Sequence, residues 1–349
     1  MNILITGGCG FIGFNLSMFL KEKGFNVIAM DNLVRRGTEI SRKILEDNSI
    51  EFVHGDVRNV EDFSNVDKKI DIILNAAAEP SAIEGYKNPY FDFTNNFLSV
   101  INVLELARKN NIKIIQWSTN KVYCGNKINN IKLRELETRF EYDDEKYREG
   151  IDENFSIDGN DHSIYGLTKV SADLFCQEYA HAFDLNIIIN RFSCLGGEWQ
   201  WGLPKQGWFS WWPIAFVYKF PLSYIGWKGK QLRDILYIED ICQLILKQID
   251  DIKDFKGEVF NVGGGIKNTM SLIEATNYLE KKLGFKPKIT IEDTSRRADQ
   301  CVYVSDIRKV TSTFNWSPKV SPEGAMDNIL QWVQKNKELL DTVYTHGQK

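Results

Sequence analysis

A glycine-rich turn near the start of the chain limits the folds that the sequence can adopt. The segment TGGCGFIG lies between an apolar run, NILIT, and a stretch with apolar residues at helical spacing, FNLSMFLKEKG. It supplies Gly7, Gly10 and Gly13, and glycine there permits a tight turn, close approach to a pyrophosphate and close helix–strand packing. Asp31 ends the next apolar run, about twenty residues further on, as dinucleotide-binding units require. The spacing therefore predicts a strand–turn–helix unit that binds a dinucleotide.

Short apolar runs alternate with helical patterns through the first half of the chain. The runs FNVIAMD, IEFVHGD, IDIILNAAA and IKIIQWST, and later LNIIINRFS and GEVFNVGGG, are rich in β-branched residues. Continuously apolar strands with helices between them indicate a parallel sheet that is covered on both faces. We predict an α/β fold: a Rossmann-type, doubly wound parallel sheet with a smaller C-terminal substrate-binding domain.

The alternation breaks twice, and these breaks suggest the domain organisation. Residues 126–160 are polar and too numerous for an ordinary connection, which predicts a lid or an ordered excursion near the site. From about residue 196 the pattern becomes irregular and aromatic. We expect a dinucleotide-binding domain over 1–195 and about 233–266, and a substrate-binding domain over 196–232 and 267–349.

Composition argues against several classes of partner. The net charge of -4 leaves no basic surplus for nucleic acid. The six cysteines have no metal-ligand spacing, so we expect reduced thiols in a cytoplasmic protein without a metal site. No signal peptide is expected, since the first strand begins at the first residue. Segment 208–227 has the length of a membrane span, but two prolines, a lysine and many aromatic residues argue against insertion.

Acidic residues at the ends of the next strands predict how a dinucleotide is held. The Asp31 carboxylate can accept hydrogen bonds from ribose hydroxyls and repel a 2′-phosphate, which favours NAD over NADP. Arg35 and Arg36 lie close by and weaken that preference. In HGDVRN, Asp56 is placed to meet the adenine amino group and Val57 to pack on the ring. A turn or helix-cap role for Asp56 is the alternative.

The segment SIYGLTK carries a candidate catalytic pair, Tyr165 and Lys169. Residues four apart lie on one face of a helix. A tyrosine is a poor base at neutral pH because its pKa is near 10. A lysine one turn away and a cationic nicotinamide favour the phenolate and lower that pKa. A tyrosine and a lysine at this spacing also occur by chance. The glycine turn, Asp31 and Ser118–Thr119 in the same chain favour a catalytic role for the pair.

This combination resembles the extended short-chain dehydrogenase/reductase family, the NAD-dependent epimerases and dehydratases, over nearly the whole chain. The resemblance implies that Tyr165 is the base, Lys169 activates it and Thr119 binds the reacting hydroxyl. It also implies NAD as the cofactor. The implied cofactor-binding positions are Gly7, Gly10, Phe11, Ile12, Gly13, Asp31, Asn32, Asp56, Val57, Ala76, Ala78, Asn96, Tyr165 and Lys169.

The segment WSTNKVYCG narrows the reaction. Some sugar-nucleotide enzymes carry an acidic pair directly after such a threonine and use it to expel water, whereas this chain has Asn120 and Lys121. Elimination needs an acid for the leaving hydroxyl and a base for the α-proton. Asn120 does not titrate, and Lys121 is a poor match for either task. The sequence therefore disfavours 4,6-dehydration and leaves reversible oxidation: epimerisation, or simple dehydrogenation.

Longer strings spread from end to end resemble one branch of the family, the CDP-paratose (or CDP-tyvelose) 2-epimerases. They include STNKVY, QGWFSWW, QLRDILYIEDI, RRADQCVYVSDIRKVT and NWSPKVS. This resemblance implies C2 epimerisation of a CDP-linked deoxyhexose through a keto sugar, tightly held NAD, and a homo-oligomer, a dimer or a tetramer. The substrate-binding residues that it suggests are Glu79, Asn120, Gln206, Trp208, Arg233, Arg296 and Asp299.

Alternatives remain open from the residues themselves. Arg233 and Arg296 suit a diphosphate because guanidinium makes forked contacts, but either alone is more often a surface ion-pair residue. Glu137 and Arg139 are candidates for sugar contact or a solvated pair. The runner-up activity is a C4 epimerase of a UDP- or GDP-sugar. A non-catalytic NAD-binding protein is the remaining alternative, and the tyrosine–lysine pair argues against it.

Overall fold

The structure, a computed structural model, describes residues 1–204 and 206–344. Its described strands are, in chain order, β1 Asn2–Thr6, β2 Asn26–Asp31, β3 Glu51–His54, β4 Ile72–Asn75, β5 Lys113–Thr119, β6 Leu133–Glu135, β7 Phe140–Tyr142, β8 Ile187–Phe192, β9 Cys194–Gly196, β10 Leu222–Ile225, β11 Leu232–Tyr237, β12 Glu258–Val262, β13 Thr269–Ser271, β14 Ile289–Glu292 and β15 Val302–Tyr303.

The described helices surround these strands. They are α1 Phe11–Glu22, α2 Thr38–Asp47, α3 Glu84–Lys87, α4 Pro89–Phe93, α5 Ser99–Asn110, α6 Gly125–Asn129, α7 Ser163–Phe183, α8 Trp208–Tyr218, α9 Ile238–Asp251, α10 Leu272–Leu283, α11 Arg308–Phe314, α12 Pro322–Lys335 and α13 Lys337–Tyr344. A π-helical turn, Thr94–Leu98, joins α4 to α5.

Seven strands form one sheet in the spatial order β3-β2-β1-β4-β5-β8-β12. All its pairings are parallel. Side chains alternate between the two faces of a strand, so Ile3 and Ile5 pack with α1 and α9, whereas Leu4 packs with α5 and α7. Both faces are therefore buried, as the continuously apolar runs predicted, and the doubly wound α/β fold is confirmed.

The C-terminal half adds smaller sheets. Strand β11 pairs in parallel with β9 and β15 and antiparallel with β13, and β10 pairs in parallel with β14. Helix α10 begins at a capping box formed by Ser271 and Glu274, and Ser321 caps α12. These elements supply the smaller C-terminal part that the sequence predicted. The exact division into two domains stays a prediction.

The polar excursion over 126–160 is folded against this C-terminal part. Its strands β6 and β7 form an antiparallel hairpin. The Arg139 guanidinium binds the Glu274 carboxylate at 2.5 and 2.6 Å, and the Phe140 amide donates to the carbonyl of Lys230 at 3.0 Å. Of the two alternatives for Arg139, a sugar contact or a solvated pair, the structure favours an ion pair, formed with the capping residue Glu274 of α10.

The aromatic segment 208–227 forms a short buried helix and a strand. Helix α8 has eleven residues, with Pro213 inside it, and packs against α12 and α10. Across the described residues, every helix is too short or too polar to cross a bilayer.

Candidate active site

A cavity of about 480 Å³ lies at the carboxyl ends of the parallel strands. Ligands of open α/β sheets bind at this edge, where the strand order reverses on either side of β1. Its wall combines residues that follow six different strands with residues of α7 and of the segment before α8. The predicted residues in that wall are Gly7, Gly10, Phe11, Ile12, Gly13, Asp31, Asn32, Val57, Ala76, Ala78, Glu79, Thr119, Asn120, Tyr165, Lys169, Gln206, Trp208 and Arg233.

The glycine turn is shaped to hold a pyrophosphate. Gly7 has a φ of 65°, and a Cβ there would lie 2.9 Å from backbone atoms of Ala77. A Cβ on Gly13 would lie 2.1 Å from the carbonyl oxygen of Gly7. Helix α1 begins without a side-chain cap among the described residues. No side chain therefore competes with an anion for the first amide groups of the helix. The residues thus fit NAD at this end of the cavity.

Asp31 is positioned by the turn itself. Its two carboxylate oxygens accept hydrogen bonds from the amides of Cys9, at 3.0 Å, and Leu33, at 2.8 Å. Burial raises the pKa of Asp31, and these amides act against that rise. Arg35 also lines the cavity, but its guanidinium donates to Gln206 at 2.9 Å. The carboxylate is therefore fixed beside the glycine turn, and its contact with ribose hydroxyls stays a prediction.

Two predicted cofactor contacts lie behind the wall instead of in it. Burial acts to raise the pKa of Asp56, but hydrogen bonds from Arg58 and Asn32 outweigh burial and hold that pKa at about 2. Asn96, in the π-helical turn, accepts from the Glu79 amide at 2.9 Å and donates to the Glu79 carbonyl at 3.0 Å. Both residues therefore position loops of the wall, and a direct contact with NAD stays a prediction for each.

Strand β5 and helix α7 bring the catalytic candidates together. The Ser118 hydroxyl donates to the Asp173 carboxylate at 2.6 Å, and Arg191 of β8 binds the same carboxylate at 2.8 Å. This buried contact fixes α7 against both strands. Tyr165 and Thr119 consequently face each other within hydrogen-bonding reach.

The pKa of Tyr165 lies above its ordinary value in this arrangement. Burial raises it to about 12, the hydrogen bond with Thr119 opposes the rise, and Asp92 and Glu79 add to it. The sequence predicted the opposite direction for a site with a cationic nicotinamide. The phenol is thus protonated until positive charge enters the site, which makes the tyrosine a strong base once it ionises.

Lys169, one turn after Tyr165 on α7, is a cationic side chain that also lines the cavity. It is buried, its Nζ donates to the carbonyl of Trp117 at 2.6 Å, and burial lowers its pKa to about 8. A cation held this close to neutrality responds strongly to new charges in the cavity. Its predicted action on Tyr165 stays a prediction.

A buried carboxyl group lies close to Tyr165. Asp92 of α4 is fully buried, and neither of its oxygens has a hydrogen-bond partner among the described residues. Its Oδ2 would lie 2.2 Å from a Cβ on Gly85, so a side chain there would have to displace the Asp92 carboxyl group. Burial, with Glu79 and Glu84, raises the pKa of Asp92 to about 6.

Replacing Asp92 with asparagine is expected to stabilise the protein at pH 8. The folded-state pKa of about 6 exceeds the ordinary 3.8, so the folded protein holds this proton more tightly than the unfolded chain. The ionised carboxylate therefore costs stability above pH 6, and this cost disappears as the pH falls towards 4. Thermal unfolding of Asp92→Asn should show a gain of about 2 kcal/mol at pH 8. The gain should be small at pH 4.

The exposed Asp67 provides the matched control. Asp67→Asn should change the free energy of unfolding by less than about 0.5 kcal/mol at both pH values. If the Asp92→Asn protein melts at a lower temperature than the wild type at pH 8, the ionised Asp92 carboxylate does not destabilise the fold. An equal gain in the free energy of unfolding at both pH values would contradict the same claim.

The substrate end of the cavity contains linked charges. The Arg233 guanidinium donates to Asp299 Oδ1 at 2.9 Å, and the Lys121 Nζ reaches the same oxygen at 3.3 Å. Arg233 and Lys121 line the cavity, whereas Asp299 lies behind them. Arg296 is half-buried outside the wall, and its carbonyl accepts from the Asp299 amide. The structure thus brings five of the seven predicted substrate residues into the wall: Glu79, Asn120, Gln206, Trp208 and Arg233.

Sequence reasoning missed other residues of the wall and its support. Lys121 was considered only as an acid or base for elimination, and Gln300 was not considered. The Asn120 amide donates to Gln300 at 3.1 Å across 180 residues of chain. Gln200 and Trp201 come from the segment before α8 and also line the cavity. Local patterns do not reveal contacts over such separations, although Lys121 directly follows two predicted residues.

Cys194 lies in the wall of the cavity. Burial raises the pKa of its thiol to about 12. A thiol in this state is a poor nucleophile, so Cys194 serves as a small, largely apolar residue of the wall.

Comparisons with known proteins agree with this geometry. The sequence model of the NAD dependent epimerase/dehydratase family matches residues 3–263. The CDP-paratose 2-epimerase of Salmonella typhi is 36% identical, with 95% of this chain and 99% of that protein covered. The UDP-glucuronate 4-epimerase of Thermodesulfobacterium geofontis is 26% identical, with 97% of this chain and 98% of that protein covered.

A solved structure shows the same fold with ligands. It is a variant UDP-glucuronic acid 4-epimerase from Bacillus cereus in complex with UDP-4-deoxy-4-fluoro-glucuronic acid and NAD. It superposes with a TM-score of 0.79 at 25% identity, covering 96% of this chain and 99% of that one. The predicted family and the prediction of NAD as cofactor are thereby confirmed.

Proposed function

Because the chain belongs to the NAD-dependent epimerase/dehydratase family and is an NAD-dependent nucleotide-sugar epimerase, we propose that it inverts C2 of a CDP-linked hexose. The observation that carries the proposal is that one cavity is lined by Tyr165 and by Thr119, and that Thr119 is followed by Asn120 and Lys121 instead of by an acidic pair. The likeness to the Salmonella typhi protein, over 95% of this chain, favours CDP and C2.

The residues of the cavity divide the work between binding and proton transfer. Thr119 binds the oxygen of the reacting hydroxyl, and Tyr165 takes its proton and later returns it to the same oxygen. Bound NAD supplies the hydride acceptor and donor. Since the proton and hydride both return, the product differs from the substrate only in configuration.

Water elimination is disfavoured at this site. It requires a titrating acid or base beside the threonine. Asn120 instead donates to Gln300, and the Lys121 Nζ is bound to Asp299 and to the carbonyl of Ala298 at 3.2 Å. These side chains bind and orient, so a keto sugar formed here is re-reduced.

A C4 epimerase of a UDP-sugar is the second candidate. The observation that favours it is the likeness to the Thermodesulfobacterium geofontis and Bacillus cereus 4-epimerases. Such an enzyme uses the same tyrosine and differs in the carbon that the cavity presents to it.

Product analysis separates the two candidates. The purified protein would be incubated without added NAD with CDP-paratose, CDP-glucose, UDP-glucose or UDP-glucuronate. Proton NMR would follow the coupling of the anomeric proton to the proton at C2. A change from gluco-like to manno-like coupling with a CDP-sugar supports the proposal. Inversion at C4 of a UDP-sugar with no change at C2 would replace it with the second candidate.

We also propose a homodimer formed through α7. This helix exposes apolar side chains in a row, with Leu167 52%, Leu174 44% and Phe175 43% exposed. Phe93, at the end of α4, and Phe97, in the π-helical turn that follows, extend the patch. Contiguous exposed apolar surface of this kind marks an interaction site. Light scattering should give at least twice the 40.3 kDa of one chain, and the mass of one chain would contradict the dimer.

A further inference from the structure

We propose that Gln206 determines cofactor specificity: by binding the guanidinium of Arg35, it keeps this cation away from Asp31 and from a 2′-phosphate, so that the site selects NAD over NADP. The sequence suggested Gln206 as a substrate residue and Arg35 as a cation that weakens the preference for NAD. The inference concerns the cofactor alone, so it does not depend on the sugar or on the carbon that the enzyme inverts.

NAD and NADP differ at the adenosine ribose, which is predicted to lie beside Asp31. NADP carries a phosphate on the 2′-oxygen, where NAD has a hydroxyl. A carboxylate at this position accepts a hydrogen bond from the hydroxyl and repels the phosphate, whereas an arginine close by favours the phosphate through forked contacts. Asp31 and Arg35 both line the cavity. The site therefore contains one group of each kind.

Arg35 acts on Asp31 without binding it. The two Asp31 oxygens accept hydrogen bonds from the backbone amides of Cys9 and Leu33. Burial raises the pKa of Asp31, and the charge of Arg35 opposes this rise, without a hydrogen bond between the two side chains among the described residues. The Arg35 Nη2 instead donates to Oε1 of Gln206 at 2.9 Å. A neutral amide thus holds the guanidinium, although a carboxylate is the stronger acceptor.

Gln206 is itself held in place. Its backbone amide and carbonyl exchange hydrogen bonds with Leu203 at 3.0 and 2.9 Å. The loop of Arg35 meets the same segment at a second point, because a Cβ on Gly37 would lie 2.5 Å from the ring of Trp201. These contacts keep the acceptor and the cation together across 171 residues of chain.

The neighbouring arginine is engaged elsewhere. Arg36 lies outside the cavity wall, and its Nη2 donates to the carbonyl of Thr342 in α13 at 3.2 Å. Of the two arginines that follow Asp31, Arg35 is therefore the one whose position decides how the site treats a 2′-phosphate.

A purely structural contact is the competing explanation. In that case the Gln206–Arg35 bond only joins the loop after β2 to the segment before α8. Its loss would weaken NAD and NADP equally and would leave the ratio of the two bound cofactors unchanged. Selection by Gln206 instead predicts a change in this ratio that disappears when Arg35 is also replaced.

Exchange of the bound cofactor distinguishes these roles. The holoenzyme would be dialysed against NAD and an excess of NADP until its composition is constant, and chromatography would separate the nucleotides released by denaturation. Gln206→Leu should raise the bound ratio of NADP to NAD about tenfold, since the freed Arg35 pairs with the 2′-phosphate or with Asp31. Gln206→Glu should keep the wild-type selection, because its carboxylate also accepts from Arg35.

Arg35→Met completes a double-mutant cycle. Without the cation, the loss of Gln206 releases nothing, so the Arg35→Met/Gln206→Leu protein should match Arg35→Met within about twofold in this ratio. Gln334→Leu, at an exposed glutamine of α12, is the control and should retain the wild-type ratio.

The results separate the two explanations. An unchanged ratio in Gln206→Leu, or a rise of the same size with and without Arg35, would overturn the inference. A wild-type protein that takes up NADP in preference to NAD would contradict both the inference and the role of Asp31. Product analysis tests the proposed reaction separately, so the inference and the proposed function can each fail alone.

Discussion

Replacing Tyr165 with phenylalanine is expected to lower kcat by about 10³ while leaving nucleotide-sugar binding nearly unchanged. The change removes only the hydroxyl that faces Thr119, and general acid–base catalysis contributes about 10²–10⁴ in rate. Steady-state rates from NMR product analysis and calorimetry with the substrate would measure the two effects separately. A loss of kcat without a loss of binding would assign Tyr165 to proton transfer and not to substrate binding.

Tyr179 provides a matched control on the same helix. Its hydroxyl donates to Glu105 at 3.1 Å, away from the cavity. Tyr179→Phe should retain wild-type kcat. Substantial turnover by Tyr165→Phe, or an equal loss in both variants, would remove Tyr165 from the role of base.

Replacing Gly13 with alanine is expected to abolish retention of NAD. The new Cβ would lie 2.1 Å from the Gly7 carbonyl oxygen and 2.7 Å from the Gly8 Cα, and neither is a flexible side chain. The turn must therefore shift away from the start of α1, and pyrophosphate contacts worth several kcal/mol are lost. NAD affinity should fall about a hundredfold or more. Chromatography of nucleotide released from the denatured protein would measure the cofactor content.

Gly324→Ala is the corresponding control in α12. A Cβ there meets atoms no nearer than 3.5 Å, an ordinary contact. It should retain the cofactor and melt near the wild-type temperature. If Gly13→Ala kept a full complement of NAD, the glycine turn would not be the pyrophosphate site.

Sequence patterns predicted those features that depend on residues close together in the chain. The alternation of apolar runs is set by strand and helix periods, so it located the parallel strands, and the glycine turn located the first helix. Tyr165 and Lys169 were predictable because a four-residue spacing needs only one helix. Asp31 followed from its place at the end of β2.

The substrate end required information that local patterns lack. Lys121 meets Asp299 across 178 residues, and Arg139 meets Glu274 across 135. Each charged residue had several conceivable partners, and only the packing of the C-terminal elements chooses between them. The sequence therefore left Arg139 open between a sugar contact and a surface pair, whereas its guanidinium binds Glu274 of the α10 capping box. It also gave no sign that Lys121 contacts Asp299.

The same limit applies to residues that support the wall. Asn96 was predicted to touch the cofactor, yet its side chain holds the loop of Glu79. Asp92 gave no pattern at all, because its burial results from the packing of three short elements around α7. Supporting residues share the composition of surface residues, so only the structure distinguishes them.

The central claim is that this enzyme inverts C2 by removing and returning the same hydride. The most direct measurement uses CDP-paratose deuterated at C2, incubated in ordinary water with the purified protein and no added NAD. NMR and mass spectrometry of the product should find the manno-configured sugar with deuterium still at C2. An inverted product that carries hydrogen from the solvent at C2 would contradict transient oxidation at that carbon. Recovery of CDP-paratose unchanged at C2 would contradict the assignment of the reaction.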